Sequence, residues 1–492
     1  MGRMRQREQK LFYTSFSLEE RIGCDNRYRR LRDVLDFSFI RPMVAKFYGP
    51  NGQVSEDPIV IMKMMLILFL ENIPSERELM RRLPERLDWL WFCEFDLDDT
   101  LPNHSVPSKA RRRWGLEIFE EFFQVVLQQC MAAGLVDGET VHIDSSLIQG
   151  NVSADSMRPA FSVLARQKFE QLEESCRSEE KSLITVSKTT IEPAPITAST
   201  KLSTSDPEAR ARIKGNQKVV GYQEHRIVDD SYGIITANET TDASVGEGRT
   251  FTTMIEQHQA NTDSTPVHAV ADKAYGTALN YRYLAEQKIQ PCIPHSEHHS
   301  ANKNAYAQSR FKYIDEHDHY VCPAGNILKR QSKKTNKRGH IRYAANADVC
   351  HACSLAEECY GGKDLRRGKS LCRYEGQKYI DWADNCMSKA KRQKLMRRRK
   401  SVMEGSFGDA ATNHGFKRSR WRGLMRAKIQ NTLIATVQNL RKLVKYGRKK
   451  RKSVAAAALS HISTSILAIH AAHKRLFMPL CRDLHIIIAT SI

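Results

Sequence analysis

Long hydrophobic runs are absent from this sequence of 492 residues. The longest unbroken apolar run covers residues 64–70, whereas a helix that crosses a membrane needs about 20 apolar residues. The basic opening, MGRMRQREQK, is not followed by an apolar stretch of signal-peptide length. We therefore expect a cytoplasmic protein without a membrane partner, in which the 12 cysteines are thiols or metal ligands.

Three common catalytic signatures are also missing. The sequence has no GxxxxGK[ST] loop for nucleotide phosphates, no HExxH zinc-protease motif and no GxSxG nucleophile turn. ATP-driven, zinc-protease and α/β-hydrolase functions therefore lack their usual residues. The composition, with 41% hydrophobic and 27% charged residues, is that of a globular protein. Its length predicts about two to four folding units.

Acidic residues are scarce in one long segment. Residues 363–452 contain 28 Lys or Arg and 6 Asp or Glu, a net charge of +22 in a chain whose total is +21. A cationic block of this kind suits a polyanion, because contacts with phosphates release condensed counterions and relieve repulsion among the protein's own charges. DNA or RNA is therefore the expected partner, and a solvated basic surface is the alternative.

The first 135 residues have the pattern of helices. Apolar residues recur at helical spacing over 59–69, and Ser75 with Glu78 forms a capping-box pair that predicts the start of a second helix. Ser105 or Ser108 is the predicted cap of a basic helix further on. This order fits a small DNA-reading module, and a helical bundle with one exposed basic turn is the alternative.

From residue 140 the pattern becomes mixed α/β. Its predicted elements are a strand at 140–143, a hairpin turning at 230–233, a strand at 266–271, a helix at 278–288 and a strand at 290–294. Residues 177–204 have no apolar period and predict a mobile loop. The polar segment 295–384 interrupts the pattern, and helices are predicted again over 382–404 and 422–444.

Three acidic residues could carry chemistry. Asp144 and Asp272 follow predicted strands, and ligands collect at strand ends of open α/β sheets. Carboxylate oxygens are the ligands that Mg²⁺ prefers, and paired ions can clamp both oxygens of an in-line phosphoryl transfer. Glu404 is the candidate for a third carboxylate, because no other acidic residue lies between 384 and 409. The alternative is that Glu404 neutralises the surrounding cations.

Four motifs in order resemble the bacterial insertion-sequence transposases with a DDE site. They are HIDSS, which contains Asp144, the TSDPEAR stretch leading into GYQEH, ADKAYG, which contains Asp272, and EGSFG, which contains Glu404 and precedes RSRWRGL. The stretches DPIVIMKMMLILFL and HSVPSKARRRWG resemble the helical leader of the same superfamily. The resemblance covers roughly residues 30 to 445. It implies an RNase H-like mixed-sheet catalytic core with a helical N-terminal domain and a cysteine-rich insertion.

The resemblance also implies a reaction and its residues. Asp144, Asp272 and Glu404 would hold two Mg²⁺ or Mn²⁺ ions, for cleavage of DNA at the element's terminal inverted repeats and strand transfer into target DNA. A homodimer on the DNA and a nucleoid-associated location follow from the same likeness. Related transposases often have Arg and Lys where this chain has Lys400 and Ala411. The candidate DNA-binding residues are Lys273, Tyr275, Arg399, Lys400, Lys417, Arg418, Arg420 and Arg422, with packing near the sheet as the alternative for Tyr275.

Four cysteines have metal-ligand spacing. Cys350 and Cys353 form CxxC, Cys359 follows them, and Cys322 precedes them in YVCPAG. Thiolates at this spacing can hold one structural Zn²⁺ and organise a segment too polar to bury a core, while free thiols in a loop are the alternative. The remaining cysteines lack such spacing and predict packing.

The predicted organisation has five parts. They are a helical DNA-binding region (1–135), the first part of the core (136–294), the cysteine-containing insertion (295–384), the last part of the core with Glu404 and basic helices (385–452), and a C-terminal tail (453–492). The predicted function is that of a DDE transposase. Two alternatives remain open on the sequence: an RNase H-like nuclease without strand transfer, and a non-catalytic DNA-binding protein derived from a transposase.

Overall fold

The computed structural model describes residues 17–49, 55–177, 196–197, 200–214, 217–294, 306–332, 340–361, 368–374 and 376–447. These residues fall into two compact units. The first, here the helical unit, draws on Met1–Asp137, Asp409–Phe416 and Lys428–Ile492. The second, here the sheet unit, draws on Gly138–Gly408 and Lys417–Ala427. Among the described residues no helix is both long and apolar enough to cross a bilayer.

The described residues of the N-terminal part of the helical unit form eight helices. They are α1 (Leu18–Arg21), α2 (Arg27–Val34), α3 (Ile40–Val44), α4 (Pro58–Leu70), α5 (Glu76–Arg82), α6 (Leu87–Cys93), α7 (Ser105–Trp114) and α8 (Glu117–Ala132), with 3-10 turns at Ala45–Phe47 and Leu83–Glu85. Helix α4 begins where the Asp57 carboxylate accepts from the Ile59 amide at 2.8 Å. Because residues 59–69 are buried on every side, α4 is the centre of this unit.

One predicted cap is confirmed and another is wrong. The Ser75 hydroxyl accepts from the Glu78 amide at 3.2 Å and starts α5, as the capping-box pair predicted. In α7, however, Ser105 is the first helical residue, its amide donates to the Asn103 side chain at 2.9 Å, and Ser108 lies inside the helix. The basic turn of α7 is also not wholly exposed, because Arg111 is buried and paired with Glu76.

The sheet unit contains a six-stranded mixed sheet. Its strands are β1 (Thr140–Gln149), β4 (Arg210–Lys214), β5 (Gln217–Asp229), β6 (Ile235–Asp242), β7 (His268–Val270) and β8 (Gln290–Cys292). The order is β4-β5-β1-β7-β8, with β6 also paired to β5. Strand β1 is antiparallel to β5 and parallel to β7, which is parallel to β8.

Three of the described helices lie between strands of this sheet along the chain. They are α9 (Ala160–Arg177), α10 (Phe251–Thr262) and α11 (Ala278–Glu286), with 3-10 turns at Ala154–Ser156, Glu247–Arg249 and Lys273–Tyr275. Helices α10 and α11 pack against this sheet. A small two-stranded sheet pairs β2 (Met157–Pro159) with β3 (Lys201–Ser203), and α9 packs against it. Most of the predicted mobile loop, 177–204, lies outside the described residues, and β3 occupies part of its end.

The first strand continues past the point where the sequence predicted its end. Asp144 was expected to follow a strand at 140–143, but β1 runs to Gln149, so Asp144 lies in the middle of it. The polar residues after Ile143 lie outside the predicted strand. They remain extended because each pairs with a residue of β5, in a register that sets Asp144 opposite Arg226 and Ser146 opposite Glu224.

The two faces of β1 and β5 differ in chemistry. Alternate residues on one face, including Val141, Ile143 and Ile227, join a buried core with Phe251 and Tyr281. The opposite face carries polar and charged side chains, namely His142, Asp144, Ser146, Glu224 and Arg226. The core therefore secures the sheet from one side, while the other side presents ionisable groups.

The cysteine-containing segment forms a separate five-stranded sheet. Its antiparallel strands are β9 (Lys312–Ile314), β10 (His319–Val321), β11 (Ile327–Arg330), β12 (His340–Ala344) and β13 (Ser370–Tyr374), accompanied by helices α12 (Ala347–His351) and α13 (Ala356–Tyr360) and 3-10 turns at Gln308–Arg310 and Asp315–His317. Phe311, Tyr320, Leu328, Tyr343 and Leu371 are buried together. The expectation that this segment is too polar to bury a core is therefore wrong, although the core is small.

The C-terminal helices differ from their predicted bounds. They are α14 (Gln377–Asn385), α15 (Lys389–His414) and α16 (Leu424–Lys442), followed by a π-helical turn at Leu443–Gly447. The single helix predicted over 382–404 is thus two helices, and α15 continues ten residues beyond Glu404. The predicted tail, 453–492, lies outside the described residues.

Candidate functional site

Asp144 lies on the polar face of β1, partly buried beneath an arginine of α15. One carboxylate oxygen accepts from the Ser145 amide at 2.8 Å, and the other accepts from Nη1 of Arg399 at 2.8 Å. The Asp144 side chain is 26% exposed to solvent, and the Arg399 side chain is 15% exposed. Burial raises the pKa of Asp144, and the Arg399 guanidinium opposes that rise. The carboxylate thus has one oxygen directed to the backbone and one to a cation.

Asp272 follows β7, the parallel neighbour of β1. Its side chain accepts from the Ala274 amide at 2.9 Å and caps the short 3-10 helix Lys273–Tyr275. The charge of Asp272 contributes to the raised pKa of Asp144, so the two carboxylates are within electrostatic range of each other. The parallel pairing of β1 with β7 brings them together, and their oxygens are the hard donors that Mg²⁺ or Mn²⁺ takes.

Glu404 is on α15, five residues after Arg399 and therefore about 7.5 Å further along the helix axis. Its side chain is 69% exposed and lies 4.0 Å from Nζ of Lys400. Within the described ranges no three His, Cys, Asp or Glu side chains lie close enough together to hold a metal ion. The structure thus brings Asp144 and Asp272 together, with Glu404 on the helix that contacts Asp144.

A basic segment, residues 417–422, runs beside the C-terminal end of β1. Strand β1 pairs with β7 over Thr140–His142, and further along Gln149 exchanges backbone hydrogen bonds with Lys417 and Ser419, at 2.9 and 2.8 Å. Nζ of Lys417 donates to the Ser146 hydroxyl at 2.8 Å. Asp144 therefore lies on the stretch of strand between β7 and this basic segment.

Three more of the predicted DNA-binding residues, Arg418, Arg420 and Arg422, belong to the same segment. Arg418 forms a parallel β-bridge with Gln149. Nε of Arg422 donates to the Asn151 carbonyl at 3.1 Å, and the Arg420 carbonyl accepts from the Asn151 side chain at 3.4 Å. Lys400 is on α15 with 73% of its side chain exposed. The cations at 400 and 417–422 thus belong to the sheet unit that carries the two aspartates.

Tyr275 is a correction to the predicted DNA-binding set. Its side chain has no exposed surface and its ring packs 5.9 Å from that of Phe251. Burial also raises the pKa of its hydroxyl well above the usual value. A ring enclosed in the core cannot contact DNA in this structure, so the packing role left open by the sequence is the one that fits. Lys273, two residues earlier, remains exposed.

A buried ion pair next to Asp144 was not identified as functional from the sequence. Glu224 and Arg226 are both fully buried, with Nε of Arg226 2.7 Å from the Glu224 carboxylate. The same guanidinium donates to Ser406 at 3.3 Å and lies 4.8 Å from the Phe407 ring, so it links β5 to α15 beside Glu404. The signal in the sequence was the run QEHR inside a strand, where charges at alternate positions must share one face.

A second anchor joins α15 to the same face. Arg398 donates through Nε to the Asp230 carboxylate and through Nη2 to its backbone carbonyl, both at 2.7 Å. Nε2 of buried His142 is 2.7 Å from the same carboxylate. Burial favours a raised pKa for Asp230, but the hydrogen bonds from His142 and Arg398 outweigh it and hold the pKa below its usual value. Helix α15 is therefore fixed on both sides of Arg399.

The four predicted zinc-ligand cysteines carry free thiols. Cys322 directly follows β10, Cys350 and Cys359 are on α12 and α13, and Cys353 lies between these two helices. Burial raises the pKa of Cys359, Lys369 opposes the rise, and Cys350, Cys322 and Cys353 add to it, so the four thiols are within electrostatic range. The Asn326 amide donates to Sγ of Cys322 at 3.3 Å. The tight turn after β10 thus directs a backbone N–H at one sulfur.

Two family models match the chain. The model described as Transposase domain (DUF772) matches residues 16–113, and the one described as Transposase DDE domain matches residues 321–444. The second match includes Glu404 and the four cysteines, whereas Asp144 and Asp272 lie outside both matches. A comparison with curated proteins found no match.

A solved structure aligns with much of the chain at low similarity. It is the "Cryo-EM structure of piggyBac transposase synaptic complex with hairpin DNA (SNHP)", and the alignment covers 86% of this chain and 78% of that chain. The sequence identity is 8% and the TM-score is 0.32.

Proposed function

We propose that this chain is an insertion-sequence DDE transposase that cleaves and joins DNA strands, a proposal supported by the two transposase-domain models that match it. The substrate DNA is the terminal inverted repeats of a mobile element, and the acceptor is a target duplex. The observation that carries the proposal is the pair Asp144 and Asp272: Asp144 lies in the middle of β1 in contact with Arg399 of a basic helix, and Asp272 directly follows β7, the parallel neighbour of β1.

The proposed core is RNase H-like. Its support is a mixed sheet whose first strand is central, with antiparallel neighbours on one side and two parallel strands on the other. Asp144 and Asp272 then lie on the central strand and directly after its parallel neighbour. In this proposal the helical N-terminal region, 1–135, grips the element's end, and residues 136–294 and 385–452 form the core around the 295–384 insertion.

The roles of the acidic residues follow from their chemistry. Asp144 and Asp272 hold divalent cations, and Glu404 is the third carboxylate, a role that rests on its motif and its place on α15. Bound Mg²⁺ or Mn²⁺ supplies charge stabilisation for phosphoryl transfer and lowers the pKa of the attacking hydroxyl. The protein's own side chains position the groups, so that no side chain has to act as a nucleophile.

The basic residues of the sheet unit hold the DNA backbone. These residues are Lys273, Arg399, Lys400, Lys417, Arg418, Arg420 and Arg422. Arg399 contacts Asp144, and residues 417–422 run beside the end of β1, the strand that carries Asp144. Phosphate contacts fix the position of a duplex without reading its sequence. In this proposal two chains pair on the DNA, because two element ends must be joined, and the protein works in the nucleoid.

The insertion holds a structural Zn²⁺ through Cys322, Cys350, Cys353 and Cys359. Support comes from the metal-ligand spacing of the four cysteines and from the Asn326 amide, which donates to the Cys322 sulfur at 3.3 Å. In the described residues the four thiols are not gathered into a metal-binding group, so the proposal requires that zinc draws them together. A small sheet with five buried apolar residues gains most from such a crosslink. This site is separate from the catalytic carboxylates.

Zinc content tests the cysteine site. The purified chain is expected to carry about one zinc per molecule by elemental analysis, and Cys353→Ser to carry none. Cys24→Ser removes an exposed thiol from the helical unit and is the matched control. Metal-free wild-type protein, or zinc retained in full by Cys353→Ser, would contradict the assignment.

Asp144→Asn tests the reaction. We expect Mg²⁺-dependent cleavage and joining of labelled element ends by the wild type, and a loss of at least about a hundredfold in the variant, because a charged metal ligand contributes several kcal/mol. The matched control is Asp263→Asn, since Asp263 is exposed, ends α10 and has the left-handed backbone that asparagine tolerates. DNA binding should survive in both variants.

The same assay separates the alternatives. Cleavage without joining would favour a nuclease, and DNA binding with no cleavage by the wild type would favour a non-catalytic derivative. Equal activity of Asp144→Asn and wild type would overturn the proposed site.

A further inference from the structure

An arginine occupies the position at Asp144 where a cation is required. Nη1 of Arg399 is 2.8 Å from one carboxylate oxygen, and the Ser145 amide takes the other oxygen. Both side chains are largely shielded, at 15% and 26% exposure, so solvent screens the pair only in part. A divalent ion that takes this carboxylate must therefore displace the guanidinium or tolerate its charge at close range.

Arg399 also has a donor that this contact does not satisfy. Its Nε is buried and, among the residues that the structure describes, has no hydrogen-bond acceptor. A buried guanidinium N–H without an acceptor is unfavourable, so the side chain gains by finding a new one. A phosphate oxygen is a suitable acceptor, because guanidinium and phosphate pair through parallel hydrogen bonds.

The helix under Arg399 is fixed independently of that arginine. Arg398 is tied to Asp230 by two hydrogen bonds of 2.7 Å, and further along the helix Ser406 accepts from Arg226 at 3.3 Å. The Arg399 side chain can therefore leave Asp144 by rotating about its own bonds while α15 stays in place. This separates the movement of one side chain from movement of the helix.

We propose that Arg399 is a built-in counter-ion that occupies Asp144 in the metal-free protein, is displaced when a divalent ion binds, and then donates to a phosphate of the bound DNA. The inference rests on the proposed function, because it takes Asp144 as a metal ligand. Arg399 is then a positioning residue that pairs with Asp144 when the metal is absent and with a DNA phosphate when the metal is bound. Metal loading and DNA contact are coupled through this one side chain.

If Arg399 and a divalent ion compete for Asp144, removing the arginine should increase the affinity for the metal. Removing a cation next to a carboxylate normally weakens a site that the cation supports, but it strengthens a site for which the cation competes. Arg399→Gln should therefore bind Mn²⁺ about tenfold more tightly than the wild type, in the absence of DNA, because the competing charge is gone. Arg399→Lys keeps a cation and should remain close to the wild type.

The experiment is a Mn²⁺ titration of the full chain, with free Mn²⁺ followed by electron paramagnetic resonance. Arg282→Gln removes a charge of the same kind from an exposed pair with Glu286 on α11 and controls for net charge. Arg399→Met carries the same expectation as Arg399→Gln and serves if the glutamine variant does not fold. Affinity equal to or below that of the wild type in the folded Arg399 variants would overturn the proposal.

Two further measurements make the test specific. If Asp144→Asn abolishes Mn²⁺ binding while Arg399→Gln does not tighten it, the counter-ion role fails and the metal site stands. If Asp144→Asn binds Mn²⁺ as the wild type does, the metal site and the counter-ion role both fail. Metal should also increase wild-type affinity for duplex DNA more than it does for Arg399→Gln, an effect that a purely structural arginine would not produce.

Discussion

The two faces of the central sheet show how one pair of strands serves stability and chemistry at once. On one face Ile143 and Ile227 join an apolar core with Phe251. On the other face the same strands carry Asp144, Glu224 and Arg226. Glu224 pairs with Arg226, while Asp144 and Arg226 are hydrogen-bonded to α15. The first face is mainly apolar, and on both faces each buried charge requires a partner.

Because of this difference, replacing only one member of a charged pair on the polar face should destabilise the fold strongly. A fully buried ion pair often contributes little in net terms, but removing one member leaves an uncompensated charge. An apolar contact loses stability in proportion to the atoms removed.

Breaking the buried pair should cost more than any conservative change in the core. We expect Arg226→Met to lower the free energy of unfolding by about 3–5 kcal/mol, because Glu224 then lacks its partner. Burial already raises the pKa of Glu224, with Arg226 opposing, so the carboxyl of the variant should become protonated. Hydrogen exchange of the β5 amides measures the change.

The matched control for that change replaces both members of the pair. In Glu224→Leu combined with Arg226→Met no charge is left unpaired, and most of the lost stability should return. A double variant as unstable as Arg226→Met would show that packing, rather than the unpaired charge, is responsible.

Acid should weaken the sheet through two buried histidines. Burial lowers the pKa of His225 to about 3 and that of His258 to about 4, so both are neutral when folded. The unfolded chain binds protons near the ordinary pKa of 6.5, so the stability from these groups is complete above that value. It is lost as pH falls from 6.5 toward 4, at about 1.4 kcal/mol per pH unit for each histidine. Urea unfolding at pH 7, 6 and 5 measures the slope.

Substituting His258 should reduce the acid sensitivity. Its Nδ1 lies 2.7 Å from the Thr236 hydroxyl, a contact that an asparagine can partly replace. His258→Asn should therefore show about half of the slope attributed to the two histidines. An unchanged slope would assign the acid sensitivity to other groups.

The smallest effect should follow from trimming the apolar face. Ile227→Val removes one methylene from a fully buried side chain and should cost about 1 kcal/mol. Urea unfolding measures the loss, and Ile213→Val, at an exposed position of β4, is the control. A loss as large as that of Arg226→Met would remove the contrast between the two faces.

Local patterns predicted many elements but not the polar face. The Ser75 cap of α5 and the presence of β5, β6 and β7 follow from capping and alternation, which depend on neighbouring residues. The length of β1 does not, because Asp144 and Ser146 are extended only through pairing with β5, about 80 residues away. Tertiary pairing extended the strand beyond the residues that the local pattern predicted.

The candidate site was predictable in its residue types and less so in its contacts. Asp144 and Asp272 were identified from their strands and motifs, and the parallel pairing of β1 with β7 explains their proximity. The contact of Arg399 with Asp144 joins residues 255 positions apart and could not be found from spacing. Burial of Tyr275 was likewise invisible in the motif around it.

Iron-directed cleavage of the polypeptide tests most directly whether Asp144, Asp272 and Glu404 share a metal. Fe²⁺ bound in place of Mg²⁺, with ascorbate and peroxide, generates radicals that cut the chain near the ion. The account predicts cuts close to residues 144, 272 and 404, all lost in Asp144→Asn. Cuts near 144 and 272 with none near 404, or a pattern unchanged by Asp144→Asn, would contradict it.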